Sequence, residues 1–109
     1  MRLTMRVYIS GAITNDPDYM EHFAAAELEL LKMGHIAVNP AKMSSIIMHQ
    51  FLEDAKIEYD HDDWLITVLV LLNQCDAIYL IKGWDRSQGA VIEHQEAKKK
   101  GLKVMFQGS

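Results

Sequence analysis

The sequence predicts a single α/β domain in which a short, mostly parallel sheet of four to five strands carries helices on both faces. The chain has 109 residues, of which 50% are hydrophobic, and this suits one compact domain with a modest core. Strand-like apolar runs alternate with longer segments of helical spacing, an order typical of parallel sheets. Because no repeat, linker or low-complexity tract interrupts the pattern, residues 1–109 are expected to fold as one domain.

The first strand and the first helix are marked by signals at their ends. Met5 to Ser10 is rich in Val, Ile and Tyr, so it is predicted to be a strand that Gly11 closes. Asp16-Pro17 combines an N-cap residue with a proline at the first helical position. The helix is expected to run until Gly34 stops it.

Helical spacing also predicts which side of this first helix packs on the sheet. Phe23 and Leu30 fall on one flank of the expected apolar face. The face itself consists of Met20, Ala24, Leu28 and Leu31.

The middle of the chain begins with a short predicted strand, Ile36 to Val38, that ends at Asn39-Pro40. A weaker helical pattern follows within residues 41–59, with Ser44 as its candidate N-cap. Tyr59 to Asp63 is acidic, but it lacks the spaced pattern of metal ligands. We interpret it as the acidic start of a helix.

The next run, Trp64 to Leu72, is apolar on nearly every side. If it is a helix, it must be covered on both faces, and in a protein of this size the second cover is expected to be another subunit. A strand is the competing interpretation, because short apolar runs are ambiguous by period alone. The run therefore predicts a homo-oligomer, but not its size.

The last third contains a strand, a helix and a strand. Asp76 to Ile81 and Leu102 to Phe106 are the predicted strands, with a helix over residues 87–100 between them. Ser87 is a good N-cap, and Gly89 within the first turn lowers helix propensity. Gly89 therefore indicates a position where another group approaches the backbone closely. The free amides of this turn can receive an anion.

Glu93 lies about one turn into that helix and differs from its neighbour Glu96. By helical spacing Glu93 shares a face with the small residues Ala90 and Ala97, which would let the helix lie close to a sheet. Glu96 has a basic partner four residues later, Lys100, and is interpreted as a solvated acid. Glu93 is then either an acid turned inward or a boundary glutamate that reaches sideways to water.

Composition excludes several classes of partner. The formal net charge of −4 argues against a surface for nucleic-acid polymers. Cys75 is the single cysteine, so an internal disulfide is impossible and a reducing, cytoplasmic location is expected. The N-terminus lacks the long apolar core of a signal peptide, and no apolar run approaches the roughly 20 residues of a membrane span.

The candidate site lies where the strands end, because ligands bind beyond the carboxyl ends of parallel strands. Three groups gather there: Tyr8 with Ser10-Gly11, Asn39, and the stretch Gly83 to Glu93. Gly11 alone is not a dinucleotide fingerprint, and no Walker-type loop is present. The five histidines show no spacing that suggests a metal, so neither a cofactor nor a metal is expected.

Three segments resemble the nucleoside 2-deoxyribosyltransferase superfamily, and more closely its small bacterial and phage members. They are Val7-Tyr8-Ile9-Ser10-Gly11-Ala12-Ile13, Cys75-Asp76-Ala77, and Ser87-Gln88-Gly89-Ala90-Val91-Ile92-Glu93 with Ala97 and Gly101. The chain is also similar to 2′-deoxynucleoside 5′-monophosphate N-hydrolases. The resemblance covers most of the chain and is vague over residues 41–60.

The resemblance implies a flavodoxin-like, three-layer fold, assembled as dimers or larger oligomers with sites near the subunit contacts. It implies that Glu93 is the nucleophile that attacks the anomeric carbon of a nucleoside or nucleotide, and that Tyr8 holds and orients the carboxylate. The substrate-binding residues suggested by the motifs and by the strand ends are Ser10, Gly11, Ala12, Ile13, Asn39, Trp84, Asp85, Ser87, Gly89 and Ala90.

The sequence departs from the family at the acid that protonates the leaving base. That acid is expected about two turns before the Cys-Asp pair, where this chain has Val68; Asp63 or Asp85 could substitute, but neither matches by motif. Two functions therefore stay open. One is an N-glycosidic hydrolase or transferase on 2′-deoxynucleosides or their 5′-monophosphates; the other is a non-catalytic nucleotide-binding domain of the same fold.

The resemblance also bears on the charge of the substrate. In the transferases of neutral nucleosides, the position of Ser87 is an aspartate. In the branch that hydrolyses deoxynucleoside 5′-monophosphates it is a serine, as in this chain. A serine at a helix N-terminus offers a hydroxyl and amides to an anion without an opposing charge. That branch also has an arginine in its first loop, where this chain has Thr14. The monophosphate is the expectation, with Arg86 or a neighbouring subunit supplying the missing positive charge.

Overall fold

A computed structural model of the protein describes residues 4–13, 16–42 and 68–108. Four strands form one sheet: β1 (Arg6–Ser10), β2 (Ile36–Val38), β3 (Ala77–Leu80) and β4 (Lys103–Phe106). Their order in the sheet is β2-β1-β3-β4, and every neighbouring pair is parallel. The strands therefore all end at one side of the sheet, which we call the carboxyl edge.

Helical segments connect the strands. They are α1 (Tyr19–Lys32), the single turn α2 (Pro40–Lys42), α3 (helical at residues 68–72), a 3-10 turn (Trp84–Arg86) and α4 (Gln88–Lys99). Helical segments lie in the connections from β1 to β2, from β2 to β3 and from β3 to β4, as expected for crossovers between parallel strands.

Two hydrophobic cores lie on opposite faces of the sheet, which gives three layers. On one face, Val7 and Ile9 of β1 pack with Phe23, Ala26 and Leu30 of α1. Successive strand residues point to opposite faces. The alternate residues therefore build the second core, which contains Tyr8, Val68, Leu72, Ile78, Leu80 and Ala97. The predicted three-layer α/β architecture is confirmed, with four strands that are all parallel rather than mostly parallel.

The start of α1 differs from the prediction. The helix begins at Tyr19, and Asp18 occupies the N-cap position without a side-chain cap bond. Asp16, the predicted N-cap, instead accepts a 2.9 Å hydrogen bond from the Asp18 amide and pairs with His22 Nδ1 at 2.6 Å. These bonds form a turn ahead of the helix, and the predicted N-cap at Asp16 is wrong. The end of α1 agrees, because Gly34 follows with a φ of +86°.

The predicted apolar face of α1 is also wrong. The residues that pack on the sheet are Phe23, Ala26 and Leu30. The sequence pattern places Phe23 and Leu30 only on a flank of the apolar face and does not include Ala26. In contrast, Met20, Leu28 and Leu31 are 42%, 53% and 54% exposed. The apolar arc of this helix is wider than one face, so the period of the pattern alone could not decide which part of the arc meets the sheet.

Predictions for the middle of the chain can be compared only in part. Residues 68–72 are helical, which excludes the strand interpretation for that portion of the Trp64–Leu72 run. The candidate helix that Ser44 would cap, the acidic stretch 59–63, Asp63 and Thr14 lie outside the described residues. Across the described ranges, no helix combines the length and the apolar character that a bilayer crossing requires.

Candidate functional site

The candidate site is built around Glu93, which α4 presents to the sheet. Three residues of this helix are buried on the sheet-facing side, Ala90, Glu93 and Ala97, and the two alanines bring the helix axis close to the strands. Glu93 is only 7% exposed. The inward orientation is therefore confirmed, and the boundary alternative is excluded.

Two hydroxyl groups of β1 hold the Glu93 carboxylate. The Tyr8 hydroxyl donates a short hydrogen bond to Oε2, and the Ser10 hydroxyl donates to Oε1 at 2.7 Å. Tyr8 and Ser10 are two residues apart on a strand, so both side chains point to the α4 face of the sheet. Each carboxylate oxygen is thus fixed by its own donor, and both donors are themselves buried.

Burial changes the protonation of this cluster. It raises the pKa of Glu93 from its ordinary value of 4.5 to about 7, and the hydrogen bonds from Tyr8 and Ser10 oppose that rise. The pKa of Tyr8 is raised well above its ordinary range, first by burial and then by the negative charge of Glu93. Glu93 therefore titrates near neutrality while Tyr8 stays protonated as a donor.

The site lies at the carboxyl edge. Ser10 is the last residue of β1, and its register partner in β3 is the last residue of that strand, Leu80. Ser10 therefore places the carboxylate that it bonds at the side of the sheet where ligands bind in parallel α/β folds. The arrangement suits a carboxylate that acts as a nucleophile or a base on a small molecule.

The first turn of α4 has the features expected of an anion site. The Ser87 side chain accepts from the Ala90 amide at 3.2 Å, so the predicted N-cap is confirmed. A Cβ added at Gly89 would find Ser87 Oγ as its nearest described neighbour, at 3.9 Å. Within the described part of the chain no packing contact requires glycine there, which is consistent with an approach by a ligand.

Other predicted binding residues have local structural roles. A Cβ at Gly11 would lie 3.1 Å from Ile81 Cβ, so glycine allows the end of β1 to pass close to the residue after β3. Asn39 Oδ1 accepts from the Ala41 amide at 3.0 Å and thereby caps α2. Ile13 packs against the α1-side core, on the opposite face of the sheet from Glu93. Ala12 is half-buried in the same loop.

Trp84 and Asp85 lie on the 3-10 turn before α4. The Trp84 ring packs edge-on against His94, with ring centroids 4.7 Å apart, and lies 6.2 Å from the Phe106 ring. These contacts turn Trp84 towards β4, whereas the Glu93 carboxylate is bonded to β1. Asp85 is exposed. The structure thus brings Tyr8, Ser10 and Glu93 together, and Trp84 packs against the core that contains Tyr8.

Sequence reasoning missed the role of Ser10 as a partner of the carboxylate and grouped it with substrate-binding residues. The available signal was its spacing of two residues from Tyr8, which places both hydroxyls on one face of β1. It also missed a polar network on the other face. There, Glu29 of α1 accepts from Tyr79 at 2.7 Å and from Gln107 at 2.8 Å, and no local pattern in the sequence links these three residues.

Two other chemistries, thiol reactivity and metal binding, can be compared with the described residues. Burial raises the pKa of the Cys75 thiol to about 11, and its Sγ lies 3.4 Å from the Leu71 carbonyl, so this thiol is protonated and suited to packing. Within the ranges that the structure describes, no three His, Cys, Asp or Glu side chains are grouped as metal ligands.

Comparison with known proteins identifies a family but not an activity. A family model described as a domain of unknown function (DUF4406) matches residues 5–106. Searches of curated proteins and of solved structures find no match. Since the family model spans nearly the whole chain, including every residue of the Glu93 cluster, the protein belongs to the DUF4406 family.

Proposed function

We propose that the protein is an N-glycosidic enzyme, a hydrolase or deoxyribosyl transferase, that acts on 2′-deoxynucleosides or their 5′-monophosphates with Glu93 as its nucleophile. The observation that carries this proposal is the buried Glu93 carboxylate, held through both oxygens by Tyr8 and Ser10 at the carboxyl edge. A carboxylate fixed in this way is pre-oriented for attack on a carbon centre. The resemblance to nucleoside 2-deoxyribosyltransferases supplies the class of substrate.

The chemistry would proceed in two displacements. In the first, a Glu93 oxygen bonds to the anomeric carbon, and the electron pair of the N-glycosidic bond departs with the base, which takes up a proton. In the second, water or another base attacks the same carbon and breaks the glycosyl ester. The sugar is released or transferred, a proton is lost, and the Glu93 carboxylate is restored. Tyr8 and Ser10 would hold the carboxylate in both steps.

The proton for the leaving base is the weak point of the site. Val68 stands where the resembling family has its acid, and it is 2% exposed within the α4-side core. No acid is therefore supplied from that position. Because general acid catalysis commonly contributes about a hundredfold or more, we expect turnover to be slow for bases that must be protonated to leave.

The N-terminus of α4 would bind the sugar or its 5′-phosphate. The Ala90 amide is occupied by Ser87, whereas the preceding amides of this first turn have no acceptor among the described residues. Ser87 adds no negative charge. We therefore favour the 5′-monophosphate, and calorimetric titration with one deoxynucleoside and its 5′-monophosphate tests this preference; equal or weaker binding of the monophosphate contradicts it.

The experiment for the enzymatic function uses a substrate that does not need the missing acid. 7-Methyl-2′-deoxyguanosine carries a positively charged base that leaves as a neutral molecule without protonation. We expect the protein to release this base faster than it releases guanine from 2′-deoxyguanosine, after subtraction of the spontaneous rate. Glu93→Gln should lower the enzymatic part to background, and Glu96→Gln on the same helix is the matched control that keeps it.

A second function is favoured by the same observation at Val68. A nucleotide-binding domain that does not catalyse the reaction would keep the Glu93 cluster and the α4 N-terminus without an acid. It would bind a nucleotide in the calorimeter and release no base, even from the methylated substrate.

Turnover by Glu93→Gln equal to that of the wild type would contradict the nucleophile mechanism itself.

We also propose that the protein assembles as a homo-oligomer. Val70 of α3 is 55% exposed, and it is the large apolar residue of the described part of the 64–72 run that would lie at a subunit contact. Sedimentation at micromolar concentration measures the assembly, and a monomer alone would contradict the proposal.

A further inference from the structure

A continuous apolar surface lies along α1, on the side that does not meet the sheet. It consists of Met20, Ala24, Leu28 and Leu31, which we call the α1 stripe, and all four residues are exposed. Their spacing of four, four and three residues keeps them on one side of the helix over about 16 Å.

This surface groups several of the exposed apolar side chains of the described structure. Of the seven large hydrophobic residues that are exposed among the described residues, three lie on the α1 stripe: Met20, Leu28 and Leu31. Scattered exposed apolar residues are normal, whereas contiguous ones mark a binding surface.

The α1 stripe is complementary to itself when a second α1 runs antiparallel to it. Met20 then faces Leu31 of the second copy, and Ala24 faces Leu28, so that a small residue meets a large one at the centre. The same relation holds in reverse, as a two-fold axis requires.

The charges beside the stripe select the same arrangement. Glu21 and Lys32 are exposed on the same flank of the stripe, eleven residues apart, and neither forms a salt bridge with another described residue. In an antiparallel pair, equivalent flanks face each other, so each Glu21 lies beside the Lys32 of the other copy. A parallel pair would bring this flank against the opposite one, where Glu27 is already bonded to Lys42 at 2.7 Å.

We propose that the α1 stripe is the interface of a symmetric homodimer in which two copies of α1 pack antiparallel. The occupant of this surface is a second copy of the chain, because the apolar pattern and the Glu21–Lys32 charges complement themselves. This interface differs from the contact expected at residues 64–72 and does not depend on the proposed activity.

The first experiment compares two substitutions of exposed apolar residues. Leu28→Lys places a charge at the centre of the α1 stripe, and Val70→Lys places the same charge on α3. Val70→Lys disrupts the contact proposed at residues 64–72, and we expect this variant to stay dimeric through α1. In the Val70→Lys background, Leu28→Lys should raise the dimer dissociation constant about a hundredfold or more in sedimentation velocity, because two copies of the lysine would be buried. A wild-type monomer, or a Leu28→Lys/Val70→Lys double variant that remains dimeric, overturns the proposal.

The second experiment tests the antiparallel pairing and decides the result if both lysine variants dissociate. Glu21→Lys and Lys32→Glu should each weaken the dimer, because each places like charges together twice. The double variant restores opposite charges and should recover most of the wild-type affinity at low salt. If the double variant is weaker than both single variants, the pairing is wrong. Circular dichroism shows that each variant is folded, and all four positions are exposed, so folding should be retained.

Discussion

The titration of one carboxyl group links the stability of this protein to its chemistry. Glu93 is buried, and its pKa is raised to about 7, mainly by burial. Under the proposed mechanism the nucleophilic carboxylate must be ionised, so base release should increase as the pH rises through this range and level off above it. The ionised form is also the form that accepts from both Tyr8 and Ser10. Glu93 thus loses its proton at a pH where both of its hydroxyl donors keep theirs.

The first prediction concerns stability and pH. An unfolded Glu93 ionises near 4.5, while the folded one keeps its proton until about 7, so the native state binds more protons between these values. Its contribution to stability is therefore fully present below 4.5 and is lost as the pH rises through 7. The free energy of unfolding of Glu93→Gln minus that of the wild type should therefore be larger at pH 8 than at pH 4.5, by roughly 3 kcal/mol.

Urea unfolding of both proteins at several pH values measures this difference, and the titrations of the other groups cancel in the comparison. A glutamine can still accept from one hydroxyl and donate to the other, so its fold should be retained. A difference between the two proteins that does not change with pH would show that the pKa of Glu93 is ordinary.

The second prediction separates the two hydroxyls. Both hydrogen bonds stabilise the ionised carboxylate, and the bond from Tyr8 has the larger effect. Tyr8→Phe and Ser10→Ala should therefore each raise the pKa of Glu93 above 7, and Tyr8→Phe should raise it further. Titration of the Glu93 carboxyl carbon by NMR measures the pKa without any substrate, so the result does not depend on the proposed function.

Ser87→Ala is the matched control, because it removes a hydroxyl of the same helix that caps Ala90 rather than bonding Glu93. We expect it to leave the pKa of Glu93 near 7 and to cost about 1 kcal/mol of stability. An unchanged pKa in Ser10→Ala would mean that Ser10 has no part in tuning the carboxylate.

At the scale of the element, α4 combines a capped start with a glycine that the described packing does not require. We predict that Gly89→Ala increases stability by up to about 1 kcal/mol, because the site is helical and open, and that it weakens nucleotide binding. Thermal unfolding and calorimetric titration give the two readouts.

Gly34→Ala is a useful comparison for this substitution. Gly34 also has no described neighbour within 4 Å of an added Cβ, but its φ is +86°. Alanine should therefore cost roughly 1 kcal/mol or more there, and it should leave binding unchanged. If Gly89→Ala binds a nucleotide as well as the wild type does, no ligand approaches this turn closely.

The bounds of elements whose ends carry strong sequence signals could be predicted from the sequence. The face that a helix buries could not always be predicted. β2 was predicted at its observed bounds because Asn39-Pro40 ends it, and Ser87 marked the start of α4 correctly. The face of α1 was mispredicted because its apolar residues cover two surfaces, one for the sheet and one for solvent or a partner. The period of a helix identifies apolar arcs, but the partner of each arc is decided by tertiary structure.

The candidate site could also be predicted only in part from the sequence. Glu93 could be singled out because Ala90 and Ala97 share its face and because it has no basic residue four positions later. The roles of Gly11 and Ile13 in packing depend on Ile81 and the α1-side core, which are brought near only by the fold. Asn39, in contrast, caps α2 through the amide of Ala41, two residues later in the chain.

At the scale of the whole molecule, the proposed dimer has a consequence for activity. α1 follows β1, so its N-terminus lies at the carboxyl edge, and antiparallel pairing would turn the two carboxyl edges in opposite directions. The second copy would then contribute no residue to the site through this interface. We predict that the monomeric Leu28→Lys/Val70→Lys variant keeps the wild-type rate of base release from 7-methyl-2′-deoxyguanosine, measured at equal protein concentration.

A loss of that activity on dissociation would show that residues of the second copy complete the site, as the resemblance to oligomeric transferases implies. Activity in neither protein would contradict the enzymatic proposal and leave the dimer proposal to its own sedimentation tests.

The length of chain between the partners of Glu93 has a consequence for biosynthesis. The two hydrogen bonds to its carboxylate span 85 and 83 residues, from the first strand to the last helix. As the chain leaves the ribosome, Tyr8 and Ser10 emerge long before the acid that they bind. Closing so long a loop is slow compared with local helix formation. The Glu93 cluster therefore cannot form until α4 has been made, and a chain that terminates before α4 carries the two hydroxyls without the carboxylate.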